Sequence, residues 1–209
     1  AIREFGLDPQ ALGRRAMGGP YIPAARDRGG ANESIDEQIE DLENALNRLA
    51  AMEISLRAIP SASPTTRLAL TSAFGYRSDP FNGDRAMHSG LDISGSHGQG
   101  ILATAGGRIV KAGWANGYGN MIEIDHGAGM ITRYAHLSGV DVRVGQRVAR
   151  GQRIGRMGST GRSTSTHLHY EIRINGQAIN PRRFLEANPD VLEIQSLASR
   201  RNVDSNRRG

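Results

Sequence analysis

Thr166-His167-Leu168-His169-Tyr170-Glu171-Ile172-Arg173-Ile174 alternates without a break. Leu168, Tyr170, Ile172 and Ile174 fall on one parity, and His167, His169, Glu171 and Arg173 on the other. That period is the signature of a β-strand with one face against a core. The apolar parity packs inward, so the opposite face presents two imidazoles side by side. Imidazole is the commonest metal ligand and the usual general base near neutral pH. A His pair on one strand is weak evidence by itself, so partners are sought elsewhere in the chain.

Working outward, the same short-period pattern runs from about residue 70 to 190. Arg108–Lys111 and Asn120–Ile124 read as strands joined by a turn at Gly117-Tyr118-Gly119. Met130–Leu137 reads as a third, entered through Gly127-Ala128-Gly129. Val144-Gly145-Gln146-Arg147-Val148 is followed by Arg150-Gly151-Gln152-Arg153-Ile154, a small repeat of turn and strand. Asn175-Gly176 is a type I′ hairpin signal, and Asn180-Pro181 opens a short helix through Ala187. The sum predicts a mainly β domain over 70–190, an antiparallel β-sandwich or open barrel.

The first 60 residues follow a different rule. Residues 1–31 are rich in Gly, Pro and Arg and read as irregular. Ser34-Ile35-Asp36-Glu37 has the form of a capping box. Ile35, Ile39, Leu42, Leu46, Leu49 and Leu56 then keep a heptad seam until Pro60. A helix over about 34–58 either lies on the domain or forms the end of a coiled coil, and residues 61–69 read as a linker. The basic segment 191–209 reads as a solvated, disordered tail.

Composition removes several function classes. The chain of 209 residues carries a net charge of +5 and no Cys, and Lys111 is its one lysine. Without Cys there are no thiolate metal sites and no Cys nucleophile. Basic and aromatic residues do not interleave, and no zinc-finger or helix-turn-helix pattern occurs, so no nucleic-acid partner is expected. No apolar run approaches transmembrane length and the first residues are not a signal peptide. A membrane anchor upstream of Ala1 is the expectation if the chain is the soluble part of a longer protein.

Two further units supply partners for the imidazoles. In His88-Ser89-Gly90-Leu91-Asp92-Ile93, alternation puts His88, Gly90 and Asp92 on one face, with Gly90 leaving space between two ligands. A catalytic zinc takes three protein ligands, and one more His from position 167 or 169 would complete two His and one Asp. His136, in Tyr134-Ala135-His136-Leu137-Ser138, ends a strand and shares its parity with Tyr134. Four of the six His fall at these places. His97 and His126 lie in turns and read as structural or solvated.

At these residues the chain resembles the lysostaphin-type (LytM, M23) zinc metallopeptidases of bacterial cell walls. The resemblance covers about 70–190. It rests on Phe74-Gly75-Tyr76-Arg77, His88-x-x-x-Asp92, Gly117-Tyr118-Gly119-Asn120, Tyr134-Ala135-His136-Leu137-Ser138, Gly158-Ser159-Thr160-Gly161 and His167-Leu168-His169-Tyr170-Glu171. It implies one Zn²⁺ held by His88, Asp92 and His169, with His136 and His167 as catalytic histidines that do not bind metal. The pattern departs in having Ser165-Thr166 where the family commonly has Gly-Pro. It also has no Tyr between Asp79 and Met87, where lysostaphin-like members carry one that helps stabilise the oxyanion.

The implied activity is hydrolysis of peptide crosslinks or stem peptides of peptidoglycan in the cell envelope, periplasmic or otherwise outside the cytoplasm. His167 would act as general base, and His136 would hydrogen-bond the oxyanion or protonate the leaving amine. Glu171 is expected to face solvent, with orientation of a ligand His as its alternative role. The competing reading is a non-catalytic module of the same fold that activates other wall hydrolases. A lipoyl-carrier-like reading of residues 144–152 fails because Lys111 sits inside a strand. The helix over 34–58 offers a surface for a protein partner or for self-association.

Overall fold

The computed structural model describes residues 35–80 and 82–186. The expectations for residues 1–34 and for the tail from 191 lie outside them. The chain divides into two compact units, one holding the first helix as far as Leu56, the other spanning Arg57–Glu193.

Helix α1 runs over Ile35–Ala58. Its seam of Ile35, Ile39, Leu42, Leu46 and Leu49 is between 50% and 76% exposed, so none of the described residues covers it. Among the described residues, no helix is long and apolar enough to cross a membrane.

The second unit is an open antiparallel sheet. In chain order its strands are β1 (Leu70–Ser72), β2 (Gly75–Ser78), β3 (Arg85–His88), β4 (Leu91–Ser94), β5 (Gly100–Leu102), β6 (Gly107–Ala115) and β7 (Gly119–Gly127). They continue with β8 (Met130–Val140), β9 (Arg147–Val148), β10 (Arg153–Met157), β11 (His167–Ile174) and β12 (Gln177–Ile179), before helix α2 (Arg182–Leu185). The main sheet runs β1-β4-β11-β8-β7-β6-β9; β10 joins β5 to β8, β12 borders β11, and β2 pairs with β3 separately. The mainly β, antiparallel expectation is met as an open sheet rather than a closed barrel.

Strand β11 sits between β4 and β8 and carries the alternation quoted above. Leu168, Tyr170 and Ile172 are fully buried with Ile93, Ile109, Ile122 and Ile124. Burial of each such side chain contributes on the order of 1.5–3 kcal/mol. Tyr134 and Tyr170 lie with their ring centroids 5.3 Å apart. Their hydroxyls meet at Thr104: Tyr170 donates to Thr104 Oγ1 at 2.9 Å, and the Thr104 amide donates to Tyr134 at 3.0 Å. The polar tips are therefore satisfied inside the core.

The Gly-Gln repeat is a repeated turn. In Arg143–Gln146 and Ala149–Gln152 the Gln backbone amide donates to the carbonyl three residues back, at 3.1 Å in both. The Gln side-chain oxygen then accepts from that same residue's amide, at 3.2 and 3.0 Å. Gly145 and Gly151 take φ of 86° and 78°, the left-handed conformation such a turn asks of its third residue. Ser96-His97-Gly98-Gln99 repeats the device, with Gly98 at φ 81°. His97 is accordingly an exposed turn residue.

Three places differ from the sequence reading. Residues 61–66 pack on the sheet instead of swinging free: the Ala62 amide donates to Thr104 O at 3.1 Å, and the Leu102 amide to Pro64 O at 2.9 Å. Ala58 and Ile59 are buried beside them. His126 lies within β7 and is buried, its Nδ1 2.7 Å from Gly106 O and its Nε2 2.7 Å from Thr132 Oγ1. Helix α2 is shorter than expected, with Asn180 Oδ1 accepting the Arg182 amide at 3.0 Å and Phe184 buried; Ala187 lies outside the described residues.

Candidate active site

Strand register assembles the first three groups. Asp92 of β4 stands directly opposite His169 of β11. His88, the last residue of β3, pairs with Gly75 and turns back over Asp92 through Ser89-Gly90. His88 Nε2, Asp92 Oδ1 and His169 Nδ1 form a near-equilateral triangle with edges of 3.0, 3.1 and 2.9 Å. Among the described residues this is the cluster that could hold a metal ion. Gly90 is required because a Cβ there would lie 2.4 Å from Tyr170 O and 3.0 Å from both Glu171 Cγ and His169 Cε1.

The outer nitrogens show that this triangle fits a cation. His88 Nδ1 faces the carbonyl of Ala73 at 2.7 Å, and His169 Nε2 faces the Glu171 carboxylate at 3.0 Å. Both partners are acceptors, so a neutral imidazole places its N–H outward and its lone pair inward. With both rings in that neutral form, two nitrogen lone pairs and a carboxylate oxygen converge at hydrogen-bond distance with no proton between them. Such a donor set is satisfied by a divalent metal, and two imidazoles with one carboxylate suit zinc.

The protonation balance agrees with a charged site. Burial pushes the Asp92 carboxyl up, but hydrogen bonds from His169 and His88 outweigh it and hold it well below the usual carboxylate range. For His169, burial lowers the imidazole, while hydrogen bonds to Asp92 and Glu171 raise it further, leaving it above its ordinary value. Protons therefore compete for this position in the metal-free protein.

The other two histidines sit beside the triangle. His167 Nδ1 meets Ser165 O at 2.8 Å, and its Nε2 lies 3.7 Å from Asp92 Oδ1. His136 Nδ1 meets Thr160 O at 2.8 Å, and the two rings are 4.8 Å apart. Burial, with the nearby His167 and His169, lowers His136 to about 4 despite its bond to Thr160. Each imidazole donates through Nδ1 to a carbonyl, which leaves Nε2 as the accepting atom.

His136 reaches this place through a bulge. Asn120 pairs with Leu137 and Ile122 with Tyr134, so two residues of β8, Ala135 and His136, oppose the single Met121. His136 takes φ 61°, a strained value for a residue with a Cβ, and its amide donates to Tyr118 O at 2.9 Å. As a result Tyr134 faces the core while His136 faces the site, although the alternation gave them one parity. The loop at Gly158–Gly161 holds the acceptor for His136 by packing against Gly119. A Cβ on Gly119 would lie 2.4 Å from Thr160, and one on Gly161 2.3 Å from the Gly119 amide nitrogen.

All five residues predicted from sequence thus lie together, lining one open groove of about 480 Å³ with Arg77, Tyr118 and Arg162 among its walls. Sequence reasoning missed Arg77, whose NH2 lies 3.4 Å from Asp92 Oδ2. The exposed reading of Glu171 is corrected: it is fully buried. Residues far away in sequence cover it, which strand alternation cannot report.

Comparison with known proteins supplies the family. Peptidase family M23 matches residues 86–181. Murein hydrolase activator NlpD of Salmonella typhimurium is 46% identical over 132 residues, covering 60% of this chain and 35% of that protein. DD-carboxypeptidase/endopeptidase Mpg of Neisseria meningitidis is 41% identical over 135 residues, covering 65% of this chain and 31% of that protein. The chain therefore spans about a third of the length of these relatives. The catalytic domain of the antimicrobial peptidase lysostaphin from Staphylococcus simulans superposes with a TM-score of 0.53 at 37% identity, covering 57% of this chain and 93% of that domain.

Proposed function

From the premise that the chain belongs to peptidase family M23, we propose that it is a zinc-dependent endopeptidase that cuts peptide crosslinks or stem peptides of peptidoglycan in the cell envelope. The observation that carries this reading is the inward convergence of His88 Nε2, Asp92 Oδ1 and His169 Nδ1 beside two histidines with free Nε2 acceptors. These three residues would hold the zinc. When bound, zinc supplies Lewis acidity, polarising a peptide carbonyl and acidifying water.

The chain's own groups handle the proton. His167 takes a proton from water at Nε2 while its Nδ1–H stays on Ser165 O, which fixes the ring. His136 enters the cycle neutral, since burial holds it down to about 4. It accepts at Nε2 and becomes a donor to the leaving amine, or to a developing oxyanion, only once protonated. Arg77 supplies a fixed positive charge beside Asp92 in a groove that lacks the family's tyrosine.

A second reading has its own support. The NlpD relative is named a murein hydrolase activator, so this chain would instead bind the wall or a partner hydrolase without cutting. One experiment separates the two: zinc content of the purified protein, measured together with release of soluble fragments from purified peptidoglycan. Zinc at one per chain with fragment release supports the peptidase. Failure to release fragments with zinc bound supports the activator.

A further inference from the structure

We propose that Glu171 is a positioning residue: it selects the tautomer of His169 that turns Nδ1 toward the metal, and so sets the affinity of the site for zinc. The inference rests on the zinc reading above and extends it to a residue that touches neither metal nor substrate.

Glu171 has no exposed surface. A carboxylate so placed is stable only if its lone pairs are met, and here five donors meet them. Oε1 accepts from Ser89 Oγ at 2.6 Å, Tyr118 OH at 3.0 Å and His169 Nε2 at 3.0 Å. Oε2 accepts from Arg133 NH1 at 3.2 Å and Arg173 NH1 at 2.7 Å. The donors come from the β3–β4 connection, the β6–β7 turn, β8 and β11 itself. Four separate stretches of chain therefore converge on one carboxyl group.

The two arginines among these donors have other acceptors. Arg133 also holds Glu123 Oε1, through NH2 at 2.6 Å and Nε at 2.8 Å. Arg173 also reaches Gly176 O at 2.8 Å. His169 Nε2 has no second acceptor among the described hydrogen bonds. Its N–H is held on Nε2 by Glu171, and the consequence falls at the other ring nitrogen. Nδ1 keeps its lone pair and points at Asp92 Oδ1 and His88 Nε2. Should the proton move to Nδ1, it would donate to Asp92 and close the site to a metal. The same strand places the two residues two apart on one face, so the contact is built into β11. Gly90 leaves the room both side chains need.

The test compares Glu171→Gln and Tyr118→Phe with wild type. Zinc affinity is read by competition with a chromogenic chelator, and the His169 tautomer by ¹⁵N NMR of the metal-free protein at alkaline pH, where the ring is neutral. Folding is checked by thermal melting. Glu171→Gln keeps the shape but loses the charged acceptor. Its zinc affinity is expected to fall about 10- to 100-fold, the usual range for an outer partner of a metal-binding His, and His169 is expected to lose its pure Nε2–H form. Tyr118→Phe disturbs the same cluster but leaves the acceptor, and should keep both readouts close to wild type. Unchanged affinity and tautomer in Glu171→Gln would overturn the proposal. So would an equal loss in Tyr118→Phe, because packing of the cluster would then be the cause. If wild type itself binds no zinc, the peptidase reading fails, while the metal-free tautomer measurement still decides the role of Glu171.

Discussion

Each imidazole of the site has one nitrogen tied to an acceptor and one left for chemistry, and this divides the five residues by role. His88, Asp92 and His169 aim their free atoms at one another, whereas His136 and His167 aim theirs at the groove. Replacing His88, Asp92 or His169 with Ala is expected to remove zinc and activity together. His136→Ala and His167→Ala should keep the metal and lose turnover by about 10²- to 10⁴-fold, the usual worth of a general acid or base. Metal content after dialysis, set against fragment release, checks the division; equal zinc loss in all five variants would refute it. His126 gives a separate test on stability. Burial lowers its pKa, outweighing the hydrogen bond to Gly106 and the charge of Asp125. Above about pH 6.5 both folded and unfolded chains hold it neutral, and it adds no pH dependence. As pH falls through that value, the unfolded chain takes up a proton that the folded chain refuses, so stability drops toward acid pH. In urea melts between pH 8 and 5, His126→Asn should show a shallower acid loss than wild type; identical slopes would show that His126 is not the cause.

At the scale of elements, the loop and the bulge that aim His136 are one mechanical unit. Gly119 has φ 67° and no room for a Cβ beside Thr160. Thr160 in turn anchors both the Asn120 amide, at 3.0 Å, and the His136 ring. Gly119→Ala is therefore expected to cost at least about 1–3 kcal/mol from backbone strain. It should also displace the His136 acceptor, lowering turnover more than zinc affinity. Thermal melting and metal titration of that variant check both parts, and an unchanged turnover would separate the loop from the site. What was legible here follows from how local each signal is. Strand β11 showed itself because its period is written in nine consecutive residues. The Gly-Gln turns showed themselves because left-handed φ and a side-chain cap both need particular residue types. The bulge did not, since nothing in Tyr134-Ala135-His136 requires φ 61° at a His. Glu171 was misread for the same reason: Ser89 lies 82 residues away, Tyr118 53 and Arg133 38.

For the whole molecule, the question is what residues before the sheet contribute. Helix α1 as far as Leu56 belongs to a separate compact unit, and the second unit begins at Arg57. The heptad stripe of α1 stays exposed, which a lone helix in water tolerates poorly. Its sequence charge is also uneven, with Asp36, Glu37, Glu40, Asp41 and Glu43 at one end and Arg48 and Arg57 toward the other. The working hypothesis, drawn for residues 1–60, is that they dock the protein to a partner or restrain its groove and take no part in the chemistry. The shortened chain should begin at Arg57 and not at Ser61, because Ala58 and Ile59 are buried. Burying a side chain of the size of Ile is worth on the order of 1.5–3 kcal/mol, enough to confuse a test of regulation with loss of stability. The chain from Arg57 is expected to fold, to bind zinc as tightly as the full chain and to release wall fragments at an equal or higher rate. The full chain alone should self-associate or retain a partner, as read by sedimentation over a range of concentrations. If the two chains cleave equally and the full chain stays a monomer without a partner, the regulatory role of the helix is wrong. If the shorter chain fails to fold, α1 is part of the structure that holds the site.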